Sequence, residues 1–169
     1  MGKRKIDDIL PSGDLTNCLP KKTCYLAGPM EYAKNNGLDW RLVYRDELAK
    51  LNIQCIIPEE EETGMTEEDM RILKEEDPTQ YIKIMRQFIE MDLKFVEDCD
   101  MVVAFWDGER MSGTIGEAQH AYLHGTPIYL VSPRPFTEIP GWFAACFTET
   151  FESLGCLLLY LNKQSFYRV

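Results

Sequence analysis

Short, largely apolar runs alternate along this chain with longer segments whose apolar residues recur every three or four positions. The runs are Thr23–Ala27, Ile53–Ile57, Met101–Trp106 and Ile128–Val131, and each reads as a strand, Met101–Trp106 and Ile128–Val131 as buried ones. The longer segments read as helices. Over Gly37–Leu51, residues Trp40, Val43, Tyr44, Leu48 and Leu51 share one stripe. Over Pro78–Glu97, at about 100° per residue, Tyr81, Ile84, Met85, Phe88, Ile89, Phe95 and Val96 do the same. Pro78 sits where an early helical proline is tolerated. Ser112-Gly113-Thr114 opens a third helix, which Gly125 closes before Pro127 starts the next strand. Trp142–Phe147 is ambiguous between helix and strand. Phe147-Thr148 can begin a short last strand, and Phe151–Leu161 reads as a terminal helix weakened by Gly155. Buried strands joined by helices predict βαβ units and a parallel sheet.

No internal repeat or domain boundary is visible, and 169 residues suit one domain with a substantial core. Residues 1–21 mix Lys, Asp, Pro, Ser and Gly without period and are read as an N-terminal extension. Residues 22–169 are read as a single domain. The stretch from Glu59 to Asp77 is acidic, with room for a short helix; its length marks it as a loop worth attention. A formal net charge of −10 and the lack of a basic stripe speak against nucleic-acid and anionic-membrane partners. No apolar run is long enough to span a bilayer, and MGKRKIDDILPSG lacks the apolar core of a secretory signal. The six cysteines include no CxxC pair and read as small core residues in a reducing compartment. A cytoplasmic location is therefore expected. With two histidines, neither near a cysteine pair, no metal site is expected, and no cofactor either.

In open α/β sheets, ligands bind beyond the carboxyl ends of the strands. That rule directs attention to Gly28-Pro29-Met30 after the first strand and to the stretch Asp107–Glu117 after the third. Glu117 is the only carboxylate of its helix. Near the helix start it can serve as a nucleophile or general base, or it can simply stabilise the helix. Gly113 and Gly116 clear side chains from around it, while Ser112 and Thr114 add hydroxyls. Asp92 falls in the middle of the apolar stripe of its helix. A carboxylate there either caps a nearby loop or faces a cavity, because burial alone is costly. No GxGxxG or Walker loop is present, so dinucleotide and P-loop readings fail. Gly113-Thr114 is the better of two backbone candidates for anion contact, with Arg110 and Arg134 in reach of a phosphate. His120 and His124 follow Glu117 on its helix, and no nucleophile-elbow motif accompanies them. They read as helix-surface residues. Tyr25, Trp106 and Trp142 can stack on a planar base or belong to the core.

Three segments together carry a family resemblance: CYLAGPM (24–30), MDLKFVEDCDMVVAFWDG (91–108) and SGTIGEAQHAYLHGTPIYLV (112–131). In this order they resemble the nucleoside 2-deoxyribosyltransferase family, which includes the 2'-deoxynucleoside 5'-phosphate N-hydrolases. The likeness spans roughly residues 22 to 131. It implies a flavodoxin-like, three-layer α/β sandwich with a mainly parallel sheet of about five strands. It also implies cleavage of an N-glycosidic bond. Glu117 matches the family's nucleophile, Asp92 the acid that helps the base leave, and Tyr25 the tyrosine that orients the nucleophile. Gly28, Pro29, Met30, Asp107, Gly108, Met111, Ser112, Gly113 and Thr114 fall where substrate is bound. One position departs from the pattern. Six residues before the nucleophile, where many members carry Asp or Ser, this chain has Met111.

The expectation is double displacement at C1' of a deoxynucleoside or its 5'-monophosphate. The partner is a small molecule, and relatives complete their sites in homodimers or larger homo-oligomers. Two other readings stand beside it. One is a non-catalytic nucleotide-binding module on the same scaffold, which Met111 favours. The other is an N-glycosidase for a nicotinamide or modified pyrimidine nucleotide.

Overall fold

The computed structural model describes residues 21–30, 34–58 and 66–166. Residues 1–20 of the extension read at 1–21, and the acidic run at 59–62, lie outside the described residues. Five strands form one all-parallel sheet: β1 (Lys22–Ala27), β2 (Ile53–Ile56), β3 (Met101–Phe105), β4 (Ile128–Val131) and β5 (Glu149–Phe151). Their spatial order is β2-β1-β3-β4-β5, the flavodoxin-like arrangement. Among the described residues six helices flank the sheet: α1 (Leu38–Ala49), α2 (Glu67–Glu76), α3 (Pro78–Asp98), α4 (Ser112–His124), α5 (Gly141–Ala144) and α6 (Leu154–Phe166). Short 3₁₀ turns occupy Lys34–Gly37 and Phe136–Glu138.

Alternation along each strand sorts the core into two layers. Tyr25 and Ala27 of β1 pack with Val102 and Ala104 of β3, Val96 of α3, Ala118 and Ala121 of α4 and Phe143 of α5. Cys24 and Leu26 face the other way, toward Tyr44 and Leu48 of α1 and Leu157 of α6. Both faces of the sheet are thus covered, which is why β3 and β4, in its interior, are apolar at every position.

Local chemistry sets the helix ends. Thr66 and Asp69 form a capping box at α2. The Asp77 carboxylate accepts from the Gln80 amide at 3.0 Å at the start of α3. Gly125 closes α4 in the left-handed region, with φ of 73°.

Several sequence expectations shift. In α1, Tyr44 and Leu48 of the expected stripe are buried, but so is Arg41, fully enclosed, whereas Val43 is 56% exposed. In α3 only Val96 is fully enclosed, and Ile89 is 52% exposed. Helix α3 packs against both α2 and α4. Trp142–Phe147 resolves into the single turn α5, with Trp142 outside at 73% exposure. The last strand starts two residues later than Phe147-Thr148 suggested, and α6 begins at Leu154. None of the described helices is long and apolar enough to cross a membrane.

Candidate active site

The strand order reverses direction between β1 and β3, and that junction is where an open α/β sheet leaves a crevice. The chain segments leaving these two strands are Gly28–Met30 and Asp107–Met111. Both are shaped by specific contacts.

Arg41 holds the first segment. Its guanidinium donates to the carbonyls of Leu26 at 3.3 Å and Gly28 at 2.9 Å, with a longer contact to that of Pro29 at 3.5 Å. It also lies over the Trp40 ring, 4.6 Å from the centroid. A Cβ on Gly28 would sit 2.5 Å from Cζ2 of Trp40, so only glycine lets the indole lie against the backbone here. Gly28 and Pro29 are buried and Met30 is half-buried.

The second segment is a tight turn. The Trp106 indole donates to the Glu109 carbonyl at 3.0 Å, and the Asp107 carboxylate accepts from the Glu109 amide at 3.1 Å. Gly108 has φ of 108°, a conformation that disfavours any side chain. Arg134 donates to the Asp107 carbonyl at 2.8 Å, tying the turn to the loop after β4. Arg134 also pairs with Glu138 at 3.8 Å. Met111 then precedes α4 and is 8% exposed among the apolar residues of the layer that holds Trp106 and Ile139.

Helix α4 lies close to the sheet because its inward stripe is small: Thr114, Ala118 and Ala121 are all buried. This close approach brings Glu117, half-buried in the second turn and not the first, over β1. The Tyr25 hydroxyl donates to Glu117 Oε1 at 2.8 Å across 92 positions of sequence. Asp92 reaches the same phenol from α3, and its Oδ1 is fully buried. Burial pushes the Tyr25 phenol far above the ordinary tyrosine value; the negative charges of Glu117 and Asp92 and the hydrogen bond to Glu117 push it the same way. Tyr25 therefore stays a protonated donor at any physiological pH.

Tyr25, Asp92 and Glu117 thus converge from β1, α3 and α4. Around Glu117, Ser112 and Gly113 are exposed, and a Cβ at Gly113 or Gly116 would meet nothing within 4 Å. Thr114 is buried. Trp106 is a core residue whose indole N–H is already engaged. Arg41 was invisible to sequence reasoning. An arginine among helix-stripe residues carries no periodic signal, and its role becomes evident only from the carbonyls it meets.

No family model matches the chain, and no curated protein matches it in sequence. Solved structures do share its fold. A 2-deoxyribosyltransferase from Bacillus psychrosaccharolyticus aligns over 80% of this chain and 90% of its own, with a TM-score of 0.62 and 18% identity. A conserved protein from Enterococcus faecalis V583 aligns over 86% and 99%, with a TM-score of 0.58 and 14% identity. A 2-desoxiribosyltransferase from Leishmania mexicana aligns over 88% and 99%, with a TM-score of 0.55 and 20% identity. The fold implied by the three sequence segments is thus the fold observed.

Proposed function

We propose that this chain is a member of the nucleoside 2-deoxyribosyltransferase group that cleaves or transfers at the N-glycosidic bond of a deoxynucleoside or its 5'-monophosphate. The observation that carries the reading is the Tyr25 hydroxyl held 2.8 Å from Glu117 Oε1, with Asp92 at the same phenol. Two carboxylates from distant parts of the chain share one small region beside the strand ends, as glycosidic cleavage requires. The shared fold of two solved deoxyribosyltransferases supports it.

In this mechanism a Glu117 oxygen forms a bond to C1' while the C1'–N bond breaks, its electron pair leaving with the base. Asp92 acts here in its protonated form, and its proton goes to the departing base, leaving the Asp92 carboxylate. Tyr25 holds the attacking carboxylate in place through its hydrogen bond. A water or a second base then attacks C1' from the face the first base left, giving its proton to the Asp92 carboxylate and releasing Glu117 with net retention. Gly28, Pro29 and Met30 form one wall of the pocket. Asp107, Gly108, Met111, Ser112, Gly113 and Thr114 form the other. Assembly as a homodimer or larger homo-oligomer completes it.

The test is to incubate the protein with the common deoxynucleosides and their monophosphates and to separate free base by chromatography. Base release is expected, and Glu117→Ala should lose it by several orders of magnitude while keeping its circular dichroism. Near-normal turnover in that variant rejects the assignment.

A second reading, a nucleotide-binding module without catalysis, is favoured by one observation: Met111 places a packed apolar side chain where a polar contact to the sugar end is expected. Binding of the same compounds with no base released would support it. Extending the substrates to nicotinamide and modified pyrimidine nucleotides covers a change of leaving group.

A further inference from the structure

Helix α4 carries its two histidines four residues apart, so both rings project from one face. That face meets the last turns of α3, where Glu97 lies. His120 Nε2 is 2.9 Å from Glu97 Oε1, and His124 Nε2 is 3.7 Å from the same oxygen. The two rings lie 4.1 Å apart, centroid to centroid, tilted by 35°. One donor atom from each of the three residues falls within a span of 4.8 Å.

We propose that Glu97, His120 and His124 form a site for a divalent transition-metal ion of the zinc class. Four features carry it. The donor set, two imidazoles and one carboxylate, suits zinc and its neighbours in the first transition row; magnesium and calcium prefer all-oxygen sets. The spacing fits too. Ligand bonds of about 2.0–2.1 Å at tetrahedral angles put donor atoms about 3.3 Å apart, between the two observed separations. One ring is already oriented: His124 Nδ1 lies 2.9 Å from the backbone carbonyl of His120. A carbonyl only accepts, so Nδ1 carries the proton and Nε2 is left as the metal-facing nitrogen. Lastly, the three residues are partly exposed, with side-chain exposures of 39% for Glu97, 20% for His120 and 47% for His124. An ion can therefore enter from solvent, and a fourth coordination position stays open to water.

The sequence reading expected no metal because it looked for ligand spacing along the chain. Here the third ligand comes from another helix. The site would brace α3 against α4, the helices that carry Asp92 and Glu117. It does not depend on the proposed glycosidic chemistry, and its test reads metal content and stability, not base release.

The experiment uses the full chain, free of any purification tag and stripped with a chelator. Zinc ion is titrated against a competing chromophoric chelator, and thermal unfolding is followed with and without it. One ion per chain is expected, with a raised unfolding midpoint. Glu97→Gln and His124→Ala should each weaken binding by at least about tenfold with unchanged circular dichroism, whereas Cys156→Ser should bind as the parent does. Cobalt in place of zinc should give visible ligand-field bands without sulfur-to-cobalt charge transfer. Absence of binding, binding undiminished in both ligand variants, or a sulfur charge-transfer band overturns the site.

Discussion

At the scale of single residues, the Tyr25 hydroxyl is the contact on which the candidate chemistry turns. A hydrogen bond to an ionised group is worth roughly 1.5–3 kcal/mol, about one to two powers of ten in rate if the bond persists in the transition state. Tyr25→Phe should therefore lower base release by that factor, and far less than Glu117→Ala. Equal losses in the two variants would show that Tyr25 does more than position the carboxylate. Because its phenol is held far above the usual value, the difference between parent and Tyr25→Phe in tyrosinate absorbance should stay flat through pH 10 in the folded protein. Asp100 offers a contrast at the other end of β1. Its carboxylate accepts from the Thr23 amide at 2.7 Å and hydroxyl at 2.9 Å, and these bonds hold it below the usual carboxylate range. Tyr25, Asp92 and Glu117 were all legible as candidates, two of them from position and all three from the resemblance. Arg41 and Glu97 were not, because their meaning lies in partners far away along the chain.

At the scale of elements, α4 decides whether Glu117 reaches Tyr25. Its contact stripe of Thr114, Ala118 and Ala121 lets the helix lie close to β1 and β3. Ala118→Leu should cost roughly 1–3 kcal/mol through overpacking. It should also depress base release by lifting Glu117 off the Tyr25 hydroxyl, as read by urea unfolding and the chromatographic assay together. A stable variant with full activity would show that the close approach of α4 is not needed. The β1–α1 connection makes a parallel case. Arg41→Met leaves the buried carbonyls of Leu26 and Gly28 without their donor and should destabilise the chain by more than about 2 kcal/mol. Sequence periodicity found these elements well where one face is apolar and the other polar. It erred at Ile89, which is exposed, and where a buried polar residue takes an apolar position, as at Arg41.

At the scale of the whole molecule, the two core layers enclose titratable groups that must stay neutral. Burial pushes the Tyr44 phenol and the Cys99 thiol upward, and burial with neighbouring carboxylates does so for Tyr25. For each, the folded protein binds its proton more tightly than the unfolded chain. Their contribution is therefore complete below the unfolded values, about 8.5 for a thiol and about 10 for a phenol, and is lost as pH rises above them. The sign for Asp100 is opposite: its contribution is present above about pH 4 and is lost as pH falls through its lowered folded value. Denaturant midpoints should form a plateau that declines on the alkaline side from about pH 8.5 and on the acid side below about pH 4. A midpoint still rising at pH 10 would contradict the burial of these groups. Tyr122, Leu123, Phe136 and Trp142 stand exposed at the surface. Sedimentation should find a dimer or larger assembly, and a monomer that still releases base would show the pocket complete in one chain.

The order of apolar runs and periodic helices determined, by itself, that the described chain builds a parallel sheet with helices on both faces. That follows because a strand buried on both sides needs apolar residues throughout, and a parallel neighbour needs a crossover long enough to hold a helix. The burial of Arg41 beneath Gly28 and the meeting of α3 with α4 were decided only by the tertiary structure. Side-chain period is a local property of one element, whereas a hydrogen bond across 92 residues depends on how closely two elements pack.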